Sequence, residues 1–305
     1  MTKQRTIGNP DARRQQTMDL ATYNAAAQAS SAVIISEYST SFGLAARLLE
    51  PRMRGQIRTI YALVRIADEL VDGAAAGAGL GIEAQRELLD DLERETLRAI
   101  DRGFSTNLVV HAFAVTARET GIDASLVAPF FASMRRDLDT IAFTDDTLAT
   151  YIYGSAEVVG LMCLRSFLQG LTPSDEEAGS LNAGARHLGA AFQKINFLRD
   201  LADDYETLGR SYFPGIDPTV MSEADKARIL SDIDADLAAA SLALPLLPVG
   251  CRSAVRAAHD LFARLAHKLR NTPCTELCTT RVRVPDSEKL LLAAGVLLGR
   301  GARNR

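Results

Sequence analysis

The sequence predicts an all-α fold, on three observations. Long stretches rich in Ala, Leu, Arg and Glu carry apolar residues at three- and four-residue steps, the period of a helix with one buried face. Alternating β-branched runs joined by two-residue hairpin turns do not recur. Turn and capping residues mark the ends of periodic stretches, as at Pro51, the small-residue run Gly73–Gly81, Gly121 and Thr172-Pro173-Ser174.

The periodicity places helices at about 15–36, 38–50, 52–73, 83–102, 105–120, 124–140, 146–170, 175–208, 222–243, 248–271 and 286–299. Pro51 suits the first turn of a helix, where its missing N–H costs nothing. Gly121 suits a helix end, and Asp123 suits the cap of the next helix. Ser174 followed by Asp175, Glu176 and Glu177 reads as a capped, acidic first turn. No Pro/Gly/Ser linker and no repeat divides the chain, so one domain over 1–305 is expected, with 1–15 flexible and 300–305 as a tail.

Composition bounds the function. The chain has 305 residues, 47% hydrophobic and 24% charged, with a formal net charge of −4, which is ordinary for a globular protein and gives no footprint for nucleic acid. Basic residues are mostly Arg, the side chain suited to planar contacts with carboxylate or phosphate, although codon usage accounts for it equally well. Cys163, Cys251, Cys274 and Cys278 lack the paired spacing of a zinc module and read as core or loop thiols. Met1–Pro10 is polar, so a cytoplasmic location is expected. No window is expected to span a membrane, since the apolar run Leu290–Leu298 is about half the length required.

Two acidic segments carry the chemistry: Asp68-Glu69-Leu70-Val71-Asp72 and Asp200-Leu201-Ala202-Asp203-Asp204. In each, two aspartates four residues apart share one helix face, with Cβ atoms about 6 Å apart, a mildly repulsive arrangement that a cation relieves. Facing pairs of this kind suit Mg²⁺, which takes one or two carboxylates and fills its remaining positions from water and phosphate. The spacing alone is weak, because Asp232 and Asp236 repeat it with Ser, Ile and Ala neighbours and read as a solvated helix face. Context separates them. Arg65 precedes the first pair on an apolar helix; Gln193, Asn196 and Arg199 precede the second, and Gly209-Arg210-Ser211-Tyr212-Phe213-Pro214 follows it. Carboxylates on buried helices need counter-charges.

Five segments together resemble the squalene/phytoene synthase family: Tyr38–Phe42, Tyr61–Asp72, Tyr151–Gly160, Gln193–Pro214 and Arg281–Val284. The resemblance implies a helical bundle of the isoprenoid-synthase type around a deep central cavity, with the two Asp-rich segments facing each other at its mouth. It implies Asp68, Asp72, Asp200 and Asp204 as metal-linked catalytic carboxylates, and Mg²⁺ as cofactor, with Mn²⁺ as a substitute. It further implies Arg65, Arg199, Arg210 and Arg281 on diphosphate oxygens, Gln193 and Asn196 on the polar rim, Ser39, Ser41 and Phe42 in one diphosphate pocket, and Tyr151 beside the reacting carbons. The sequence departs from relatives at Tyr38 (His in some), Glu157 (Gly in many) and Leu261 (near a Tyr in some).

The reaction so implied is head-to-head joining of two prenyl diphosphates through a cyclopropyl diphosphate, with two geranylgeranyl diphosphates giving phytoene as the first choice. Dehydrosqualene, hydroxysqualene and squalene synthases, using farnesyl diphosphate, are the alternatives. NADPH is not expected, since no dinucleotide-binding fingerprint is present. A non-catalytic prenyl-lipid-binding or assembly protein is the rival from another class, against which the four aspartates and their arginines stand. A metal phosphohydrolase would want clustered histidines, and His111, His187, His259 and His267 are scattered. Expected partners are prenyl diphosphates, with peripheral membrane contact left open as the route of product release.

Overall fold

The computed structural model describes residues 10–139, 142–282 and 285, without the side chains of 10–14, 40, 41, 207 and 208. Among them fourteen α-helices run in order: α1 (Pro10–Tyr38), α2 (Thr40–Ala46), α3 (Pro51–Asp72), α4 (Ala74–Gly77), α5 (Ile82–Arg102), α6 (Leu108–Thr120), α7 (Ala124–Asp139), α8 (Asp145–Ile152), α9 (Val158–Phe167), α10 (Asp175–Arg199), α11 (Leu201–Leu208), α12 (Glu223–Ala243), α13 (Val249–Asn271) and α14 (Cys274–Leu277). No strand occurs among the described residues; one isolated bridge joins Ala142 to Ser211. The all-α expectation therefore holds, while the helix expected at 286–299 lies outside the described residues.

Helix ends fall where the sequence places them. Pro51 occupies the first turn of α3, and Gly121 closes α6 at φ 73°, a conformation that costs glycine nothing. Ser174 Oγ accepts from Glu177 N at 3.3 Å while Glu177 accepts from Ser174 N at 3.0 Å, closing a reciprocal cap on α10. The stretch expected as one helix over 175–208 instead breaks at Asp200, whose φ of −99° and ψ of 9° leave the helical well. The apolar period continues through the break, so the pattern alone does not reveal it.

The stretch expected over 146–170 is helical but passes through a π-helical turn, Tyr153–Glu157, between α8 and α9. Such turns widen a helix by one residue and often sit at functional sites. This one packs between α7 and α10 at backbone distance. A Cβ on Gly154 would lie 2.2 Å from Pro129 O, and one on Gly189 of α10 would lie 2.6 Å from Ala156 O. Only glycine permits these approaches. Glu157, the departure from family pattern, accepts from Arg186 Nε at 2.6 Å and so holds α10 rather than entering the interior.

The helical stretch Asp145–Phe167 is also long and apolar enough to cross a membrane by length and composition. That corrects the expectation that no window qualifies. Its apolar residues have another use here, because Tyr151, Val159, Leu164 and Phe167 line an internal cavity. Three apolar clusters surround that cavity. One joins α8, α10, α12 and α13 through Ile195, Leu198, Ile233 and Leu265. A second joins α3, α5, α6, α7 and α9 through Leu63, Leu89, Phe113, Phe131 and Met162. The third closes the far end with Leu49, Met53, Leu181, Leu244 and Leu247.

Candidate active site

The cavity has a volume of about 1060 Å³, at the upper end of ordinary small-molecule sites of about 300–1,000 Å³. Its deep end is hydrocarbon: Leu164, Phe167, Leu181, Leu244, Leu247 and Ala254. Its other end is charged, with Arg65, Asp68 and Asp72 from α3 facing Arg199, Asp200 and Asp204 from the α10–α11 junction, and Arg281 beside them. The two acidic segments thus line one cavity, as the family resemblance implies.

The first pair sits on an unbroken helix. Ala67 and Val71 are buried on the other side of α3, which turns Asp68 and Asp72 toward the cavity. Burial in the wall, with the Asp72 carboxylate as neighbour, raises the Asp68 carboxyl well above its usual range. The second pair spans the break. Asp200 caps α10, yet Asp204 N still donates to Asp200 O at 2.9 Å, so the four-residue turn survives. Asp204 is pushed up to about 7 by burial and then by Asp200 and Asp72.

Arginines neutralise these carboxylates. Arg281 Nε lies 2.7 Å from Asp200, and Arg199 Nε donates to the same carboxylate at 2.8 Å. Arg65 reaches Asp68 at 4.0 Å and also pairs with Glu69, and its guanidinium lies 4.5 Å over the Tyr38 ring. Arg65, Arg199 and Arg281 therefore stand on the cavity wall, where a diphosphate could take them over. Arg210 is placed differently. Only 4% exposed, it is off the wall, with Nη1 donating to Asp72 at 2.7 Å and Nη2 to Asp137 O at 2.6 Å. These contacts clamp α3, α7 and the segment after α11 together.

The remaining expected residues divide. Ser39 caps α2, accepting from Phe42 N at 3.0 Å, and both line the cavity. The Ser41 side chain lies outside the described residues. Gln193 and Asn196 line the cavity, and among the described residues the buried Asn196 Oδ1 has no hydrogen-bond partner, an acceptor left over for a ligand. Leu261 lines the wall as an apolar contact.

Tyr151 is 3% exposed and packs in an aromatic group, 4.9 Å from Phe143, 6.0 Å from Phe197 and 6.2 Å from Tyr212 by ring centroids. Its hydroxyl donates to Asp137 Oδ1 at 2.7 Å. Sequence reading did not single out Asp137, yet it lines the cavity and burial pushes it up to about 7. A signal existed: on α7 it follows Phe130 and Met134 at steps of seven and three, the register of the buried stripe.

The pair Asp232 and Asp236 also differs from expectation. Asp236 is only 8% exposed, and Lys194 holds both carboxylates, so this is an ion-paired helix contact rather than a solvated face.

Among the described residues no three His, Cys, Asp or Glu side chains converge to hold a metal by themselves. The donor set nonetheless fits Mg²⁺ carried in with phosphate: oxygen donors only, in two opposed pairs, with a spare amide oxygen nearby.

An apolar cavity with carboxylates and arginines at one end defines a protein that holds a long apolar chain by a charged head. The chain belongs to the squalene/phytoene synthase family, whose profile matches residues 35–288 and whose reaction is head-to-head prenyl diphosphate condensation. It is 28% identical over 250 residues to 15-cis-phytoene synthase of Paracoccus sp. (strain N81106 / MBIC 01143), covering 77% of this chain and 80% of that one. It is 30% identical over 186 residues to 4,4'-diapophytoene synthase of Staphylococcus haemolyticus (strain JCSC1435), covering 59% of each. The fold matches a crystal structure of a dehydrosqualene synthase with TM-score 0.76 at 24% identity, over 90% of this chain and 97% of that one.

Proposed function

We propose that the protein joins two geranylgeranyl diphosphates head to head to give phytoene, without NADPH. The observation that carries this reading is one cavity with a charged mouth bearing both Asp pairs and a hydrocarbon interior ending at Leu244 and Leu247. Asp68, Asp72, Asp200 and Asp204 would hold Mg²⁺, which when bound with substrate supplies positive charge to the departing diphosphate. Arg65, Arg199 and Arg281 exchange their carboxylate partners for diphosphate oxygens, and the Asn196 amide completes the rim. The allylic cation left behind is shielded from water by the apolar wall and faces the rings of Tyr151, Phe197 and Tyr212. Tyr151 guides proton removal beside the reacting carbons.

A carotenoid-type product ends in proton loss and needs no hydride, whereas squalene requires a hydride donor. The test is incubation with Mg²⁺ and each of farnesyl and geranylgeranyl diphosphate, with and without NADPH, followed by product mass. Phytoene from the longer substrate without NADPH is expected. A product formed only with NADPH, two hydrogens heavier, overturns the assignment. Dehydrosqualene from farnesyl diphosphate is the second reading, supported by the likeness to diapophytoene synthase.

A further inference from the structure

Tyr151 makes one hydrogen bond through its hydroxyl, and it makes it as donor. The acceptor, Asp137 Oδ1 at 2.7 Å, projects from α7 and lines the same cavity. Among the described residues no donor is directed at the phenol oxygen, and Tyr151 lines the cavity, so on the proposed function its oxygen is the acceptor nearest the reacting carbons. The backbone fixes this pair on both sides. Ser133 Oγ of α7 donates to Tyr151 O at 3.1 Å, and Gly154 lets the π turn close onto Pro129. Asp137 is held from behind by Arg210, 3.6 Å from Oδ1 and bonded to its main-chain oxygen at 2.6 Å. Arg210 does not consume the carboxylate, because its shorter side-chain contact, 2.7 Å, goes to Asp72.

We propose that Asp137 is the proton partner of Tyr151, orienting the phenol and taking its proton when the phenol oxygen takes one from substrate. The inference rests on the head-to-head reading above. At cyclopropane closure a C–H bond breaks on the carbon one atom removed from the cationic carbon, and its electron pair forms the new C–C bond between those two carbons, closing the three-membered ring. The proton goes to Tyr151 Oη, and the phenol's own proton moves to Asp137 Oδ1. Nothing is oxidised or reduced, and one positive charge passes from carbon to the buried carboxylate. The phenol is a poor base alone, and burial beside Asp137 raises it further, so it never needs to exist as a phenolate. The groups facing Asp137 suit this. Burial raises its carboxyl above the free value, Arg210 favours its charged form, and Asp72 and Asp204 are the other charged groups that face it. Asp137 acts through Tyr151 and is a positioning residue in that sense.

The experiment compares Asp137→Asn, Tyr151→Phe and the double variant with the wild type, reading hydrocarbon formation. Asparagine keeps the size, an acceptor oxygen and the Arg210–Asp72 pair, and loses the negative charge and with it the capacity to take a proton. D137N should lower kcat about 10²-fold with KM within about three-fold, a split that loosened packing would not produce. The double variant should be no slower than the slower single variant, because both changes cut one relay. Wild-type kcat in D137N, or losses that multiply in the double variant, overturns the proposal. A single-turnover measurement on the wild type in D₂O needs no variant to fold. Slowing of about two-fold is expected from the phenolic proton, and no slowing contradicts the relay. Wild-type protein that makes no hydrocarbon from either prenyl diphosphate removes the reaction itself, which is a separate failure.

Discussion

The two aspartate pairs have the same spacing and different backbones. Asp68 and Asp72 ride on α3, a 22-residue helix whose Ala67 and Val71 are packed beneath them. Asp200 and Asp204 straddle a break, one capping α10 and the other on α11, an eight-residue helix whose Leu201 and Ala202 are buried while Asp203, Tyr205 and Glu206 are exposed. The first pair is set by the core; the second is set by a turn and by the arginines that hold it, Arg199 and Arg281. Identical spacing therefore specifies the face but not its stiffness. The third pair, Asp232 and Asp236, shows that spacing does not specify chemistry either, since Lys194 takes both carboxylates.

The largest effect should come from removing charge in either functional pair. Asp68→Asn and Asp200→Asn should each lower turnover at least about 10²–10³-fold while leaving the helical circular dichroism intact. Activity within a few-fold of wild type in either would break the equivalence of the pairs. Breaking the turn instead of the charge sharpens the contrast. Gly189→Ala, which forces a Cβ to 2.6 Å from Ala156 O, should destabilise by about 1–3 kcal/mol and shift α10 against the π turn. Unchanged thermal stability would show that this approach is not tight.

A smaller effect concerns pH. Asp137 and Asp204 sit at about 7 in the folded protein against 3.8 for the free carboxyl. Between about pH 4 and 7 the folded state then holds protons that the unfolded chain has released, so stability falls as pH rises through that window. Metal-free protein should melt higher at pH 5.5 than at pH 7.5, and Mg²⁺ with inorganic diphosphate should recover part of the loss at pH 7.5. A melting temperature that rises with pH over this range would contradict the sign. The smallest effect is Asp232→Asn, for which turnover should stay within about two-fold because Lys194 keeps Asp236. A large loss there would mean that the wrong acidic pair was assigned.

Much of this was legible from residues. Helix positions followed from apolar period and caps, and the acidic segments stood out by their Arg and amide neighbours. What stayed hidden had physical reasons. The break at Asp200 leaves the apolar period intact, and the π turn adds a residue without changing composition. Arg210 reads as a phosphate ligand beside an acidic segment, and its bonds to Asp72 of α3 and Asp137 O of α7 leave no trace in the local sequence. Asp137, within Arg135-Arg136-Asp137-Leu138-Asp139, reads as a charged helix end, and only its register with Phe130 and Met134 marks it as inward.

The central claim is that one cavity consumes two prenyl diphosphates in a single condensation. The most direct measurement is the stoichiometry of diphosphate released to hydrocarbon formed, with Mg²⁺ and geranylgeranyl diphosphate and no NADPH. The account predicts two diphosphates per hydrocarbon. Release of diphosphate or phosphate with prenyl alcohol as the only organic product would contradict it, because the cavity would then be hydrolysing its substrate rather than joining two copies.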